Sequence, residues 1–254
     1  MNEEKNNKFY KQKVIKSGRM LEIYTYEQTQ LKPNVIAPSS LDKSKKEVDK
    51  ERERSNEYKN RAKQNFRRLV EGNSNIHPEK DKFLTLTFAE NIQDREWALA
   101  EFRKFIYKAR RKFKAFEYIA VIEHQERGAI HFHCFLFGFP YFPKRDLQKI
   151  TKLWRHGRIN IQAIKDHFKL TNYLMKYFLK TFDEHRNENE RRYFASKGLK
   201  RPEQTVLDNF VDFDKLGHEL FSVDFESPFT GKGNYKKIRL YNKNNNLSIE
   251  APEK

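Results

Sequence analysis

One cysteine, Cys134, stands in 254 residues, so no disulfide framework within the chain is open to it, and the lone thiol fits a reducing compartment. No apolar run is long enough to cross a membrane and the N-terminus has no signal-peptide apolar region, so the expected location is the cytoplasm. The Gly-x-x-x-x-Gly-Lys-Ser/Thr pattern is missing, which argues against an attached nucleotide-driven helicase. Too few cysteines remain for a zinc finger, and the Pro-Cys-x-x-Cys half of a zinc deaminase site is absent.

What is abundant is charge. Charged residues make up 34% of the chain and Lys plus Arg exceed Asp plus Glu by 52 to 35, a formal charge of +17. Such an excess favours a polyanionic partner, most simply nucleic acid, and says nothing about fold. The 22 Phe and 12 Tyr are mainly core material, although aromatic faces also stack on unpaired bases.

Residues 117–137 carry the first chemical signal. Glu117 to His124 and Ile130 to Phe137 are rich in Ile, Val, Phe and Tyr and flank a polar stretch ending in Gly128, which predicts a β-hairpin with its turn near Glu126 to Gly128. Alternate strand residues share a face, so His131 and His133 point the same way and Glu123 can join them from the neighbouring strand. Two imidazoles and a carboxylate suit a divalent cation with open positions, Mn²⁺ or Mg²⁺, while affinity alone also admits zinc or nickel. By the same alternation His124 and Cys134 face away. The plainer reading is a sheet face that happens to hold two histidines.

The helix predicted after the last strand carries the second signal. In Asn172 to Lys180, Tyr173 and Tyr177 are four apart, as are Lys176 and Lys180, so the pairs form neighbouring ridges. A nearby cation stabilises phenolate and also meets a phosphate charge, which makes a tyrosine a candidate nucleophile. The alternative is a packing helix whose tyrosines bury their rings.

Around these signals the pattern predicts a compact domain beginning after Pro78. Phe83 to Phe88 alternates as a strand, and Asp94 caps a helix reaching about Lys112 with an apolar stripe of Trp97, Ala98, Phe102, Phe105, Ile106 and Ala109. The hairpin follows, then a helix from Pro143 to Trp154, a strand from Arg158 to Ile164, and the tyrosine helix. The order β, α, β, β, α, β, α implies an α+β fold with an antiparallel sheet and flanking helices, ferredoxin-like or RRM-like.

The expected domains are 1–78, a basic and partly helical N-terminal extension; 79–183, the catalytic domain; and 184–254, a polar C-terminal extension. Residues 1–40 read as irregular apart from a β-like patch at Met20 to Tyr26, and Leu41 to Val70 as a charged helix ending before Glu71-Gly72-Asn73. Its last part places Ala62, Phe66, Leu69 and Val70 on one stripe beside Arg61, Arg67 and Arg68, which are expected to contact phosphate. Leu207 to Phe225 suggests a small packed extension, and Thr230 to Lys254 a loosely ordered tail.

Taken in order, these segments resemble the HUH endonucleases, specifically rolling-circle replication initiators of Gram-positive plasmid and phage type. Phe83 to Phe88 looks like the first motif, Glu123 with His131-Phe-His133 like the metal motif, and Tyr173-Leu-Met-Lys-Tyr177 with Lys180 like the tyrosine motif; the resemblance covers about residues 58 to 203. It implies a divalent metal held by Glu123, His131 and His133, and a tyrosine, Tyr173 or Tyr177, that displaces the 3′ oxygen of single-stranded DNA at a replication origin. The products are a 5′-phosphotyrosine and a free 3′-OH, with Lys176 and Lys180 steadying phosphate or tyrosine. Host helicase and DNA polymerase are the implied partners, with no membrane. Two other readings share the sequence: a DNA-binding regulator without catalysis, and an HUH transposase or relaxase using the same site.

Overall fold

The computed structural model describes residues 8–32, 47–74, 80–114, 116–140, 147–164, 167–183 and 191–241, with no side chains described for 47–55, 167–170 and 183. Two compact units divide the chain, Met1–Arg54 with Arg201–Lys254, and Ser55–Lys200. Each carries a five-stranded antiparallel sheet.

In the Ser55–Lys200 unit the strands are β3 (Lys82–Thr87), β4 (Glu117–His124), β5 (Ile130–Phe137), β6 (Ile159–Ala163) and the short β7 (Phe194–Ala195). Their order is β6-β3-β5-β4-β7. Counted from β3, the first four strands lie 4-1-3-2, the ferredoxin-like arrangement expected from the sequence. The strands alternate, so each face has its own core. On one face Leu84, Leu86, Phe132, Cys134 and Ile122 pack against Phe102, Phe105 and Ile106 of α2 (Arg95–Phe113) and Ile150 and Trp154 of α3 (Leu147–Trp154). Asp94 caps α2 by accepting a 3.1 Å bond from the Trp97 backbone N–H, as its position before an apolar stripe predicts.

The opposite face packs Phe83, Ile119, Val121, Phe135 and Phe137 against Leu174, Met175 and Phe178 of α4 (His167–Asp183) and Phe66, Leu69 and Val70 of α1 (Glu47–Asn73). Phe66 and Phe178 stack with centroids 4.3 Å apart and planes 3° from parallel. α4 is thereby held across the sheet from within its own unit. The expected end of α1 before Glu71 moves to Asn73, because Glu71 to Asn73 are buried and the Asn73 amide donates to the Leu69 carbonyl at 2.8 Å. The proposed start of α3 at Pro143 lies in part outside the described residues, and the described helix begins at Leu147.

The other unit departs from the expected extensions. β1 (Phe9–Ser17) and β2 (Met20–Leu31) come from the N-terminal segment, and β8 (Glu203–Leu207), β9 (Gly217–Ser227) and β10 (Gly231–Leu240) from the C-terminal one; they join in the order β8-β1-β2-β10-β9. Val14, Leu21, Ile23, Leu207, Ile238 and Leu240 fill one face, closed by Phe213. The irregular segment and the loose tail are therefore paired strands as far as the described residues reach. Tyr193, Phe194 and Ser196 also move into the unit of the β4–β5 hairpin, since β7 pairs with β4 and Tyr193 packs on Phe66 at 5.2 Å. The divisions at 78 and 183 thus become divisions at 54 and 200, because strand pairing joins segments far apart in sequence.

Candidate active site

Register brings the predicted ligands together. His131 lies opposite Glu123 on one side and Thr87 on the other, and His133 opposite Val121 and Thr85. One ligand atom from each of Glu123, His131 and His133 falls within 4.8 Å of the others, so these three residues could hold a metal ion. They occupy the end of the α4-covered face, where the apolar filling gives way to polar groups. Cys134 is buried in the opposite core, where burial pushes its thiol well above the usual range.

The donor set fits a divalent cation on a further observation. The His131 Nε2 atom is buried and has no hydrogen-bond partner among the described residues. A buried polar atom left unpaired is costly, and a cation satisfies it. Burial together with neighbouring His133 also lowers the pKa of His131, which favours the neutral imidazole that metals need. The Glu123 carboxylate is shared: His133 Nε2 lies 2.8 Å from Oε2 and the Lys180 ammonium 2.6 Å from Oε1. Burial alone would raise its pKa, but these hydrogen bonds and charges prevail and hold it at about 2. An open cleft of about 680 Å³ beside it, lined by Glu123, His124, Gln125, Glu126, Arg127 and Lys180, gives access from solvent.

α4 delivers the tyrosines to the same place. The Tyr177 ring stacks on His133 with centroids 3.8 Å apart and planes 15° from parallel. Its hydroxyl donates a short hydrogen bond to that of Tyr173, whose ring meets Phe83 edge-on at 5.5 Å and is 43% exposed. Burial, the Tyr173 bond and the Glu123 charge raise the Tyr177 pKa above its ordinary value, so the phenol is protonated near neutral pH. Lys180 reaches Glu123, whereas Lys176 is exposed on the outer flank of the helix. Of the α1 arginines, Arg61 is exposed, Arg67 half-buried and Arg68 buried.

Thr85 gains a role that strand alternation alone did not give it. Its hydroxyl lies 3.4 Å from His133 Nδ1, the ring nitrogen turned away from Glu123. Partners at that nitrogen fix the orientation of a ligating histidine. The contact follows from the pairing of β3 with β5, which sets Thr85 opposite His133.

Comparison with known proteins bears on this cluster. Residues 81–182 match the family model for replication-associated proteins of the ORF2 kind. The match supports a rolling-circle replication initiator, of which the HUH superfamily is the general kind. The Rep-like segment runs from the residue before β3 to the last turn of α4, and so contains Glu123, His131, His133, Tyr173, Tyr177 and Lys180. The arginines of α1 and strand β7 lie outside it. No curated protein and no solved structure matches the chain.

Proposed function

We propose that the protein initiates rolling-circle replication by nicking and rejoining single-stranded DNA at an origin through a tyrosine. The observation that carries this reading is the stacking of Tyr177 on His133, which puts a phenol beside the Glu123, His131 and His133 cluster inside the Rep-like segment. A divalent cation, Mn²⁺ or Mg²⁺, would supply Lewis-acid polarisation of the scissile phosphodiester. Glu123, His131 and His133 would hold it, and Thr85 would keep His133 in orientation.

Tyr177 is the better placed nucleophile. Its oxygen forms a bond to phosphorus while the bond from phosphorus to the 3′ oxygen breaks. The phenolic proton passes to the exposed Tyr173 hydroxyl as that group releases its own to solvent, and the 3′ oxygen takes up a proton from solvent to become the free 3′-OH. The ester energy stays in the 5′-phosphotyrosine, so a later 3′-OH can reverse the attack and join strands. Tyr173, four residues away and more exposed, serves the second transfer. Lys180, once its carboxylate partner is engaged elsewhere, can turn to a phosphate oxygen; Lys176 is near enough on the helix surface to contact flanking phosphate. Arg61 and Arg67 extend the phosphate-binding surface, with Arg68 bracing α1 from its buried position. The 3′-OH would prime a host polymerase, with strand separation by a host helicase, in the cytoplasm of a bacterial cell. Among the described residues no helix is long and apolar enough to cross a membrane.

The test is a denaturing gel of protein mixed with single-stranded oligonucleotides tiling the replicon that encodes it, with Mn²⁺ or with EDTA. A covalent adduct that needs metal and disappears in the Tyr173→Phe, Tyr177→Phe double variant supports a tyrosine nuclease. Tight, salt-sensitive binding with no adduct under any divalent metal assigns the chain to non-catalytic DNA-binding regulators instead.

A further inference from the structure

A second cleft, of about 550 Å³, opens where β3 ends, lined among others by Phe88, Glu90, Trp97, Arg155 and His156. Trp97 is 41% exposed although Phe88 and Trp154 beside it are almost fully buried. Its indole is held at a fixed angle, tilted on Phe88 at 5.7 Å and edge-on to His156 at 5.3 Å. His156 is fixed in turn by Glu101, 2.8 Å from its Nε2, and by its carbonyl, which accepts from the Ala89 N–H at 2.7 Å.

The loop that forms the far wall is built under constraint. Gly157 has φ +149°, and a Cβ there would lie 2.4 Å from the Thr87 carbonyl oxygen and 2.5 Å from the Ala89 nitrogen. Two residues before it Arg155, the first residue past α3, has φ 62°, in the left-handed region where helix ends ordinarily carry glycine or asparagine. A side chain kept in a disfavoured backbone conformation at the rim of a cleft points to a use for that side chain. Arg155 is exposed, as is Arg158 two residues past His156.

The cleft belongs to the same end of the sheet as the metal cluster. Thr87 pairs with His131, the Ile130 N–H donates to the Ile92 carbonyl at 2.9 Å, and the Asn91 and Gln93 side chains both donate to the Arg127 carbonyl. Residues 89–94 therefore form a pinned ridge between the cleft and the turn that joins β4 to β5. The cleft lies on the α2 and α3 side of the sheet and the cluster on the α4 side, so a single strand with one phosphate at the cluster would reach the cleft by crossing this ridge over the end of the sheet.

We infer that the cleft is a nucleotide subsite, in which Trp97 stacks on an unpaired base of single-stranded DNA flanking the nicked phosphodiester and Arg155 meets the adjoining phosphate. Indole stacking tolerates any base, and Glu90 offers an acceptor to an exocyclic amino group. The assignment rests on the nicking reading for the identity of its ligand, and it is tested without chemistry.

The full chain is titrated in EDTA with oligothymidylate while tryptophan emission is followed; the chain has two tryptophans, and Trp154 is buried. Emission is expected to be quenched on saturation by the single strand, and not by a duplex of equal length. Trp97→Ala is expected to weaken single-strand affinity by about 5- to 100-fold, Trp97→Phe to retain most of it, and Arg155→Gln to lower the salt dependence of binding. Unchanged emission of the wild-type protein at saturating single strand overturns the subsite, and so does wild-type affinity in a folded Trp97→Ala variant. Those results leave the nicking reading standing if the wild-type protein still forms an adduct with Mn²⁺. Trp97-dependent binding by a protein that forms no adduct keeps the subsite and removes the nicking reading.

Discussion

His131 and Glu123 give the site its character at the scale of single residues. His131 presents a buried nitrogen with no hydrogen-bond partner among the described residues, and Glu123 a carboxylate held in the charged form by His133 and Lys180. His131→Ala should remove most binding of Mn²⁺ to the metal-free protein, read by calorimetric titration, while leaving the thermal midpoint in EDTA unchanged or raised, because an unsatisfied buried atom is removed with the ring. The Glu123 contribution depends on pH. Its pKa is about 2 in the folded protein against an ordinary 4.5, so ionisation favours the folded state above about pH 4.5, and that advantage fades as pH falls toward 2. In EDTA, the gap in urea midpoint between the wild-type protein and Glu123→Gln is therefore expected to be widest above pH 5 and to narrow below pH 4.5. A gap that does not vary with pH would mean that the two hydrogen bonds add nothing to folding.

Helices and strands decide which of these residues meet. α4 can present Tyr177 to His133 only while its apolar face is docked, and the Phe66 and Phe178 stack joins it to α1. Phe66→Ala should cost about 3–5 kcal/mol of unfolding free energy in urea. Adduct yield per folded molecule is expected to fall as well, since the tyrosine helix loses its support. At this scale much was legible in the sequence. The hairpin, the capped α2 and the strand, helix order from β3 to α4 follow from local periodicity, because each has one face buried and one different. Glu123 could be set across from His131 for the same reason. The Thr85 contact depends on the register of β3 on β5, and the placement of Lys180, rather than Lys176, against Glu123 on how α4 is rotated on the sheet; spacing alone determines neither.

The whole molecule combines two sheets and a large positive charge. Its first sheet was hidden from the sequence because β1 pairs with β8, and β2 with β10, across nearly the full length of the chain. Lysines interrupt the alternation in both β1 and β10; each pairs locally, β1 with β2 and β10 with β9, but the two hairpins and β8 join into one sheet only through pairs some 200 residues apart, which no local window contains. The charge of +17 was legible at once, and it implies that single-stranded DNA binding weakens steeply with salt. Anisotropy titrations between about 50 and 200 mM salt should show affinity falling by 10-fold or more, the order expected when several phosphates are contacted. A flat salt response would remove the polyanion argument. The most direct test of the central claim is peptide mapping of the protein after reaction with an origin-derived single strand and Mn²⁺, by mass spectrometry of the protease digest. The account predicts a nucleotide remnant on the α4 peptide at Tyr177, or at Tyr173 after a second transfer, and none in EDTA. A remnant on a residue outside α4, or one that forms equally well without metal, would contradict it.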